Sequence, residues 1–528
     1  AGICIFLYNI IIKFLILGEI MLAKVKSCSI IGLSVYEIDI EVDAAGGLPS
    51  WDIVGLPDTA VKESKERVRT AIKNSGFNFP PRRIVVNLAP AHIKKEGPSF
   101  DLPIALAILA ATNQIELSAL ENKIVVGELG LEGNLRKVNG VLPISLNIAK
   151  ENKILLVPVD NGLEGAMGGS PCYGFSSLKD VVDFLREEEK FQPIKAPRIE
   201  ELLAREIPLK YDLKDVKGQG EAKRALEIAA AGGHNMLMVG PPGSGKTMLA
   251  RCLSGILPSL TLKEALEITK IYSISGLLSA DQPLITQRPF RAPHHSASAA
   301  SIIGGGRMPR PGEVSLSHHG VLFMDELPEY SKDVLETLRE PLEEGKVTVS
   351  RVAAQLTYPA EFILISAMNP CPCGFHGDTI KECTCTPYQA QKYRNKISGP
   401  LLDRVDLQIE ISRVDFNELQ REGEEEDSYT VRKRVEKARQ IQLERYQDVF
   451  SNNANMKASY IKKYCKLDKE SKSLLKDAFI KLGLSARAHD RILKVARTIA
   501  DLEGSENIKL YHLAEAIQYR ALDRHIWE

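Results

Sequence analysis

The sequence has no excess of either charge, no disulfide framework, no internal repeat, no low-complexity stretch and no uninterrupted apolar run of bilayer length. Lys+Arg and Asp+Glu each number 68 in 528 residues, so no global positive field marks a polyanion partner. Any nucleic-acid binding has to come from local placement, in a pore or a loop. Nine cysteines are scattered, with four crowded between Cys371 and Cys385. That spacing argues against a stapled secreted domain and fits a reducing, cytoplasmic setting with one candidate metal site. Residues 1–17, AGICIFLYNIIIKFLIL, are apolar, but Lys13 interrupts them and Gly18 and Glu19 end them. The stretch is short of the roughly 20 residues that a bilayer needs, and no small-residue cleavage pattern follows. We expect residues 1–20 to be an upstream, non-native extension before Met21, with a signal anchor as the alternative, and no membrane partner.

What is present is ordinary globular material, 44% apolar and 26% charged. The length exceeds what one core holds, so two to four domains are expected. VYEIDIEV, Val35 to Val42, alternates as a half-buried strand does. A charged helical stretch (Asp58 to Ser75), the strand RIVVNLAP and the apolar helix LPIALAILAAT follow, giving an α/β domain over 21–186. The proline-punctuated segment 187–210 reads as a linker. An α/β core over 211–415 carries strands MLMVG, VLFMD and FILISAMN, each running into a polar residue at its C-terminal end, where open α/β sheets bind ligands. Residues 416–528 are rich in Lys, Arg, Glu, Leu and Ala at helical spacing and read as a helical lid.

Gly240, Pro241, Pro242, Gly243, Ser244, Gly245, Lys246 and Thr247 spell GPPGSGKT between a predicted strand and a predicted helix, the context a phosphate-binding loop requires. Glycines let backbone N–H groups turn inward around phosphate oxygens, and the helix N-terminus adds its dipole. In this pattern Lys246 reaches the β and γ phosphates of ATP and Thr247 ligates Mg²⁺. VLFMDE places Asp325 at the metal and Glu326 where a water is activated, and Asn369 ends the neighbouring strand as a polar sensor. Arg404 and Arg487 carry the fixed charge and planar fork that a developing phosphoryl charge needs. A surface salt bridge is the plainer alternative for each.

The chain resembles the YifB/ComM-type magnesium-chelatase-like AAA+ ATPases over nearly all its length after Met21. The resemblance rests on DIVGLPDTAVKESKERVR, NLAPAHIKKEGPSFDLPIALAIL, RPFRAPHHSASAASIIGGG, PGEVSLSHHGVLFMDELPEY, AMNPCPCG, ISGPLLDRVDL and LSARAHDRILKVARTIADL. It implies an α/β multidomain protein with a Lon-protease-like (ribosomal S5 domain 2-like) N-terminal domain, an AAA+ core and a C-terminal helical lid. It also implies a hexameric ring of this chain, ATP and Mg²⁺ as cofactors, Arg404 as a finger presented to the neighbouring subunit, and an ATP-driven branch-migration motor on DNA. The alternative is a chelatase-like or remodelling ATPase that acts on a protein partner.

Four motifs carry competing readings. Cys371, Cys373, Cys383 and Cys385 form two C-x-C pairs nine residues apart, which either close a structural Zn²⁺ site or remain free cysteines; His376 could replace one of them but reads rather as a solvent-facing loop histidine. His294-His295 and His318-His319 are adjacent pairs whose rings should diverge, which makes neither a natural chelate, and they read as structural or interface residues between the phosphate loop and the VLFMDE strand. KKEGPSFDLP aligns Ser99 with the Lon nucleophile, yet KVNGVLPI puts Leu142 where the Lon lysine would stand, so no peptidase activity is expected. KVTVSRV followed by AAQLTYP reads as a β-hairpin before the sensor strand. By likeness to minichromosome-maintenance helicases, Arg351 and Lys346 are its DNA-contact candidates, against the reading of an ordinary solvated hairpin.

Overall fold

The computed structural model describes residues 22–205, 208–306, 309–351, 354–378, 380–414, 425–447 and 452–520. The expected extension over 1–20 and the boundary at 416 lie outside them. The chain divides into two compact units: residues up to Leu202 with Thr269–Ile285, and Leu203–Ile268 with the remainder.

The first unit is built on a seven-stranded mixed sheet. Its strands are β1 (Leu22–Ile31), β2 (Ser34–Ala45), β3 (Ser50–Val54), β4 (Arg83–Ala89), β5 (Lys123–Val125), β6 (Ile154–Pro158) and β7 (Cys172–Phe175), in the order β3-β4-β2-β1-β5-β6-β7. The alternation in β2 is realised: Ile38, Ile40, Val42 and Ala44 are fully buried while their neighbours are not. Helix α1 (Thr59–Asn74) starts where Asp58 caps it, its carboxylate accepting from the Val61 N–H at 2.8 Å. Helix α2 (Asp101–Ala111) is buried along every residue, as a helix apolar on all sides has to be. Residues 269–285 lie inside the stretch read as the second domain, yet they fold with this unit. Gly140 N donates to Ser273 O at 3.1 Å, and Lys137 Nζ donates to Leu278 O. A return excursion of this kind leaves no compositional mark in the sequence.

The second unit has a five-stranded, all-parallel sheet. It is formed by β8 (Met236–Val239), β9 (Phe290–Arg291), β10 (Val321–Met324), β13 (Ile363–Met368) and β14 (Leu407–Glu410), ordered β9-β10-β13-β8-β14. Every residue of MLMV, VLFM and ILISAM is buried, which is why these strands read as unbroken apolar runs. The expected hairpin is present as β11 (Lys346–Arg351) antiparallel to β12 (Ala354–Pro359), with Lys346 opposite Pro359 and Arg351 opposite Ala354. Helix α3 (Gly220–Gly232) precedes β8, and helix α4 (Lys246–Ile256) follows it. The C-terminal segment is helical, with α5 (Ser428–Tyr446), α6 (Lys469–Leu482), α7 (Ala486–Leu502) and α8 (Leu510–Gln518). Val435, Ala496 and Leu513 share one continuous apolar core with Met236, Ile365 and Leu407, so these helices are fastened to the sheet by burial. No described helix is long and apolar enough to cross a membrane.

Candidate nucleotide site

Strand β8 delivers the glycine-rich loop at the C-terminal edge of the sheet. Gly240 has to be glycine because a Cβ there would come 2.2 Å from the Ile411 carbonyl oxygen. Gly245 sits at φ +87 immediately before α4, a left-handed conformation that costs glycine little. Lys246 opens α4 and folds back into the loop. Its ammonium donates to the carbonyls of Gly240 and Pro241, both at 2.8 Å, and lies 3.4 Å from Asn369 Oδ1. Burial pushes its pKa down to about 8, against the opposing pull of Asp325 and Glu326. A polyanion in this loop would favour the charged form of the lysine.

Three strand ends converge on that lysine. The Thr247 hydroxyl donates to Asp325 Oδ2 at 2.8 Å, bringing together the two residues expected at Mg²⁺. The other Asp325 oxygen accepts from the Glu326 N–H at 3.0 Å. Glu326 is exposed and sits in a left-handed turn at φ +52. Asn369 follows β13, the immediate neighbour of β8 in the sheet. His295 was missed as a site residue. Its Nδ1 lies 3.3 Å from Glu326 Oε2, and Tyr330 steadies the same loop by donating to the Pro293 carbonyl at 2.7 Å. The RAPHH motif was legible in the sequence, but nothing in it placed the second histidine against the glutamate.

The expectation that adjacent histidines diverge is corrected. The rings of His294 and His295 lie 4.1 Å apart, and those of His318 and His319 3.8 Å apart. His318 and His319 sit in a turn directly after a short helix, and His319 has φ +55, so the pair is not on an extended strand whose side chains alternate. Both face Glu267, at 2.9 Å from His319 Nε2 and 3.6 Å from His318 Nε2. Hydrogen bonds from His318 and His319 hold the Glu267 carboxyl well below the usual carboxylate range. His318 Nδ1 accepts from the Glu361 N–H at 3.1 Å, which leaves Nε2 to carry the proton toward Glu267. Arg288 donates to the His319 carbonyl at 2.7 Å, so this group ties the start of β10 to its surroundings.

Arg404 and Arg487 both act on the Glu343 carboxylate, the first by contact and the second through space. Arg404 is buried, donates to the Pro400 carbonyl at 2.6 Å and pairs with Glu343. Arg487 is exposed near the start of α7. The Arg404 hydrogen bond, with Arg487 adding to it through space, holds Glu343 below the ordinary carboxylate range. Lys346 is exposed, 3.8 Å from Glu344. The side chain of Arg351 lies outside the described residues. The four sulfur atoms of Cys371, Cys373, Cys383 and Cys385 all lie within 4.8 Å of one another. In the first unit, Ser99 lines a cavity of about 90 Å³ with Cys28, Ser29, Glu96 and Asn139, and no lysine or histidine is among its lining residues.

Comparison with known proteins places this geometry. Residues 212–419 match the profile of magnesium chelatase subunit ChlI, residues 40–161 match a second profile of that subunit, and residues 425–520 match its C-terminal profile. The chain is 46% identical to the YifB protein of Salmonella typhimurium over 95% of its own length and 98% of the relative's. It is 45% identical, with the same coverage, to YifB of Escherichia coli and to the competence protein ComM of Haemophilus influenzae.

Proposed function

The chain belongs to the YifB/ComM-type magnesium-chelatase-like AAA+ ATPases, and from that premise we propose that it is a Mg²⁺-dependent ATPase working as a hexameric motor on DNA, of the branch-migration or helicase type. The observation that carries the ATPase reading is the Thr247 hydroxyl resting 2.8 Å from Asp325 beside a lysine buried in the phosphate loop. In this reading the N–H groups of Gly240 to Thr247 and the Lys246 ammonium hold the phosphates. Thr247 and Asp325 hold Mg²⁺, Glu326 takes the proton of the attacking water, and Asn369 orients that water. Mg²⁺ supplies charge neutralisation on the phosphate oxygens when bound. The four cysteines of 371–385 supply a site for structural Zn²⁺. The first unit serves as a Lon-protease-like (ribosomal S5 domain 2-like) scaffold and the C-terminal helices as a lid.

The DNA assignment draws on the kinship with ComM and on the hairpin beside the sensor strand. In a ring, one basic residue per subunit makes a circle of positive charge that follows phosphates regardless of sequence and with strong salt dependence. Purified protein should therefore hydrolyse ATP faster when branched or single-stranded DNA is added. Arg351→Ala combined with Lys346→Ala should weaken that stimulation and flatten the salt slope of DNA binding while basal turnover stays nearly intact. Unchanged DNA affinity, salt slope and stimulated turnover would remove the hairpin from the DNA path. The alternative reading, in keeping with the chelatase profiles, is a chelatase-like or remodelling ATPase on a protein partner, and absence of any DNA stimulation would select it.

A serine in a cavity is inert without a base to take its proton. Position 142 is a buried leucine whose N–H is tied to Glu164 at 3.0 Å, and the Cys28 thiol on the cavity wall is pushed up to about 12 by burial. Casein incubated with the protein and ATP should stay intact. ATP-dependent cleavage abolished by Ser99→Ala would overturn the scaffold reading.

A further inference from the structure

Four sulfur atoms meeting at one point are left unused by ATP chemistry. Cys371 is buried, and Cys373, Cys383 and Cys385 are half-buried. The sulfurs of Cys371 and Cys373 are 3.4 Å apart, and each stands 3.6 Å from that of Cys383. A disulfide needs about 2.05 Å and joins sulfurs two by two, whereas here one sulfur is equidistant from two others. Thiol hydrogen bonds are weak and give no reason for four to converge. A zinc ion does: with Zn–S arms of about 2.3 Å, the edges of a thiolate tetrahedron are about 3.8 Å. Other donors nearby are engaged or turned away. Asp378 is tied to Arg413 at 3.0 Å and to the N–H groups of Ile380 and Lys381, while His376 is exposed and outside the cluster. The set is therefore all sulfur and closed, the composition that selects a structural metal over one with an open position.

The place of this cluster matters as much as its composition. Cys371 comes two residues after Asn369, and the turn it opens is closed by a Gly374 N–H to Cys371 carbonyl bond of 2.9 Å. Gly374 sits at φ +85, and a Cβ there would stand 2.6 Å from Pro242 Cδ in the phosphate loop and 3.7 Å from Asn369 Cγ. One tight turn thus touches both the loop expected to hold the phosphates and the residue expected to orient the water. Resting on the ATPase reading above, we propose that the four thiolates hold one Zn²⁺ and that the resulting knuckle braces Asn369 against the phosphate loop. The metal touches no nucleotide. It acts by removing the freedom of a loop that otherwise has little apolar burial to fix it, and without it Asn369 and Pro242 lose their common support.

The test uses the full chain purified without added zinc or chelator. Metal analysis should find one zinc per chain, and Cys383→Ser with Cys385→Ser should lose it; regrowth in cobalt should give the absorption of a thiolate-bound tetrahedral ion. Gly374→Ala keeps all four thiolates, so it should retain zinc while ATP turnover falls about tenfold or more, as loss of support behind a site commonly costs. Zinc below about one-tenth equivalent, or iron in its place, would overturn the metal assignment whatever the turnover. Full zinc with undiminished turnover in Gly374→Ala would overturn the brace and leave the metal standing. Failure of the ATPase reading would show separately, as zinc-loaded parent protein that does not hydrolyse ATP.

Discussion

Glu326→Gln is expected to bind ATP as the parent protein does and to lose about 10² to 10⁴ of its turnover, the usual contribution of a positioned base. The amide keeps the shape of the side chain and its approach to His295, which stands 3.3 Å from the carboxylate, but it cannot take a proton from water. No hydrogen bond of the phosphate-loop lysine runs to it: those contacts go to Gly240, Pro241, Ser244 and Asn369. Lys246→Ala should fail differently. It removes the buried cation that faces the phosphates and takes a donor from the Gly240 and Pro241 carbonyls, so nucleotide affinity itself should collapse. Equilibrium binding of a fluorescent ATP analogue together with steady-state phosphate release separates the two defects. Normal turnover by Glu326→Gln would remove the carboxylate from its role, and tight binding by Lys246→Ala would do the same for the lysine.

The parts of this chain legible in the sequence were those governed by local periodicity and by turns of fixed chemistry. Alternation wrote β2, and unbroken apolar runs wrote β8, β10 and β13. The loop from Gly240 to Thr247 was legible because three of its positions favour glycine, Gly240 from crowding by Ile411 and Gly243 and Gly245 from a left-handed backbone. What stayed hidden depends on long-range return of the chain. Residues 269–285 pack on the first unit through contacts separated by more than a hundred positions, and no pattern of period 2 or 3.6 encodes such a partner. The convergence of both histidine rings on Glu267 comes with a positive φ at His319, a conformation uncommon at any one non-glycine position even though histidine adopts it more often than most. The contact between His295 and Glu326 is likewise a product of the parallel pairing of β9 with β10, which carries the segment after Arg291 past the end of VLFM.

Arg404→Ala is expected to cost about 10³ to 10⁵ in ATP turnover, the range for a finger supplied by a neighbouring subunit, with little loss of folding stability. The stability half of this forecast follows from the asymmetry of its ion pair. Breaking a buried pair is costly when the abandoned charge stays buried, but the partner here is Glu343, whose side chain is 54% exposed while that of Arg404 is 7% exposed, so water can take over the carboxylate. The backbone at this point is held independently of the side chain: Asn235 Nδ2 donates to the Arg404 carbonyl at 3.0 Å, and Asp406 N donates to the Asn235 carbonyl at 2.9 Å. Asp406 also binds Arg491 and His234, which keep it ionised well below the usual range although burial opposes this. A purely structural Arg404 would thus reveal itself as a fallen unfolding temperature, and a finger as lost turnover at an unchanged one. To act on a neighbour's nucleotide the guanidinium has to leave Glu343, with which it pairs within its own chain. Mixed rings address that directly. Subunits carrying Arg404→Ala keep an intact phosphate loop, and subunits carrying Lys246→Ala keep an intact arginine, so some interfaces of a mixed ring combine both. Turnover should recover in the mixture above either variant alone, and rings shown to be mixed that recover nothing would place Arg404 in its own chain's fold.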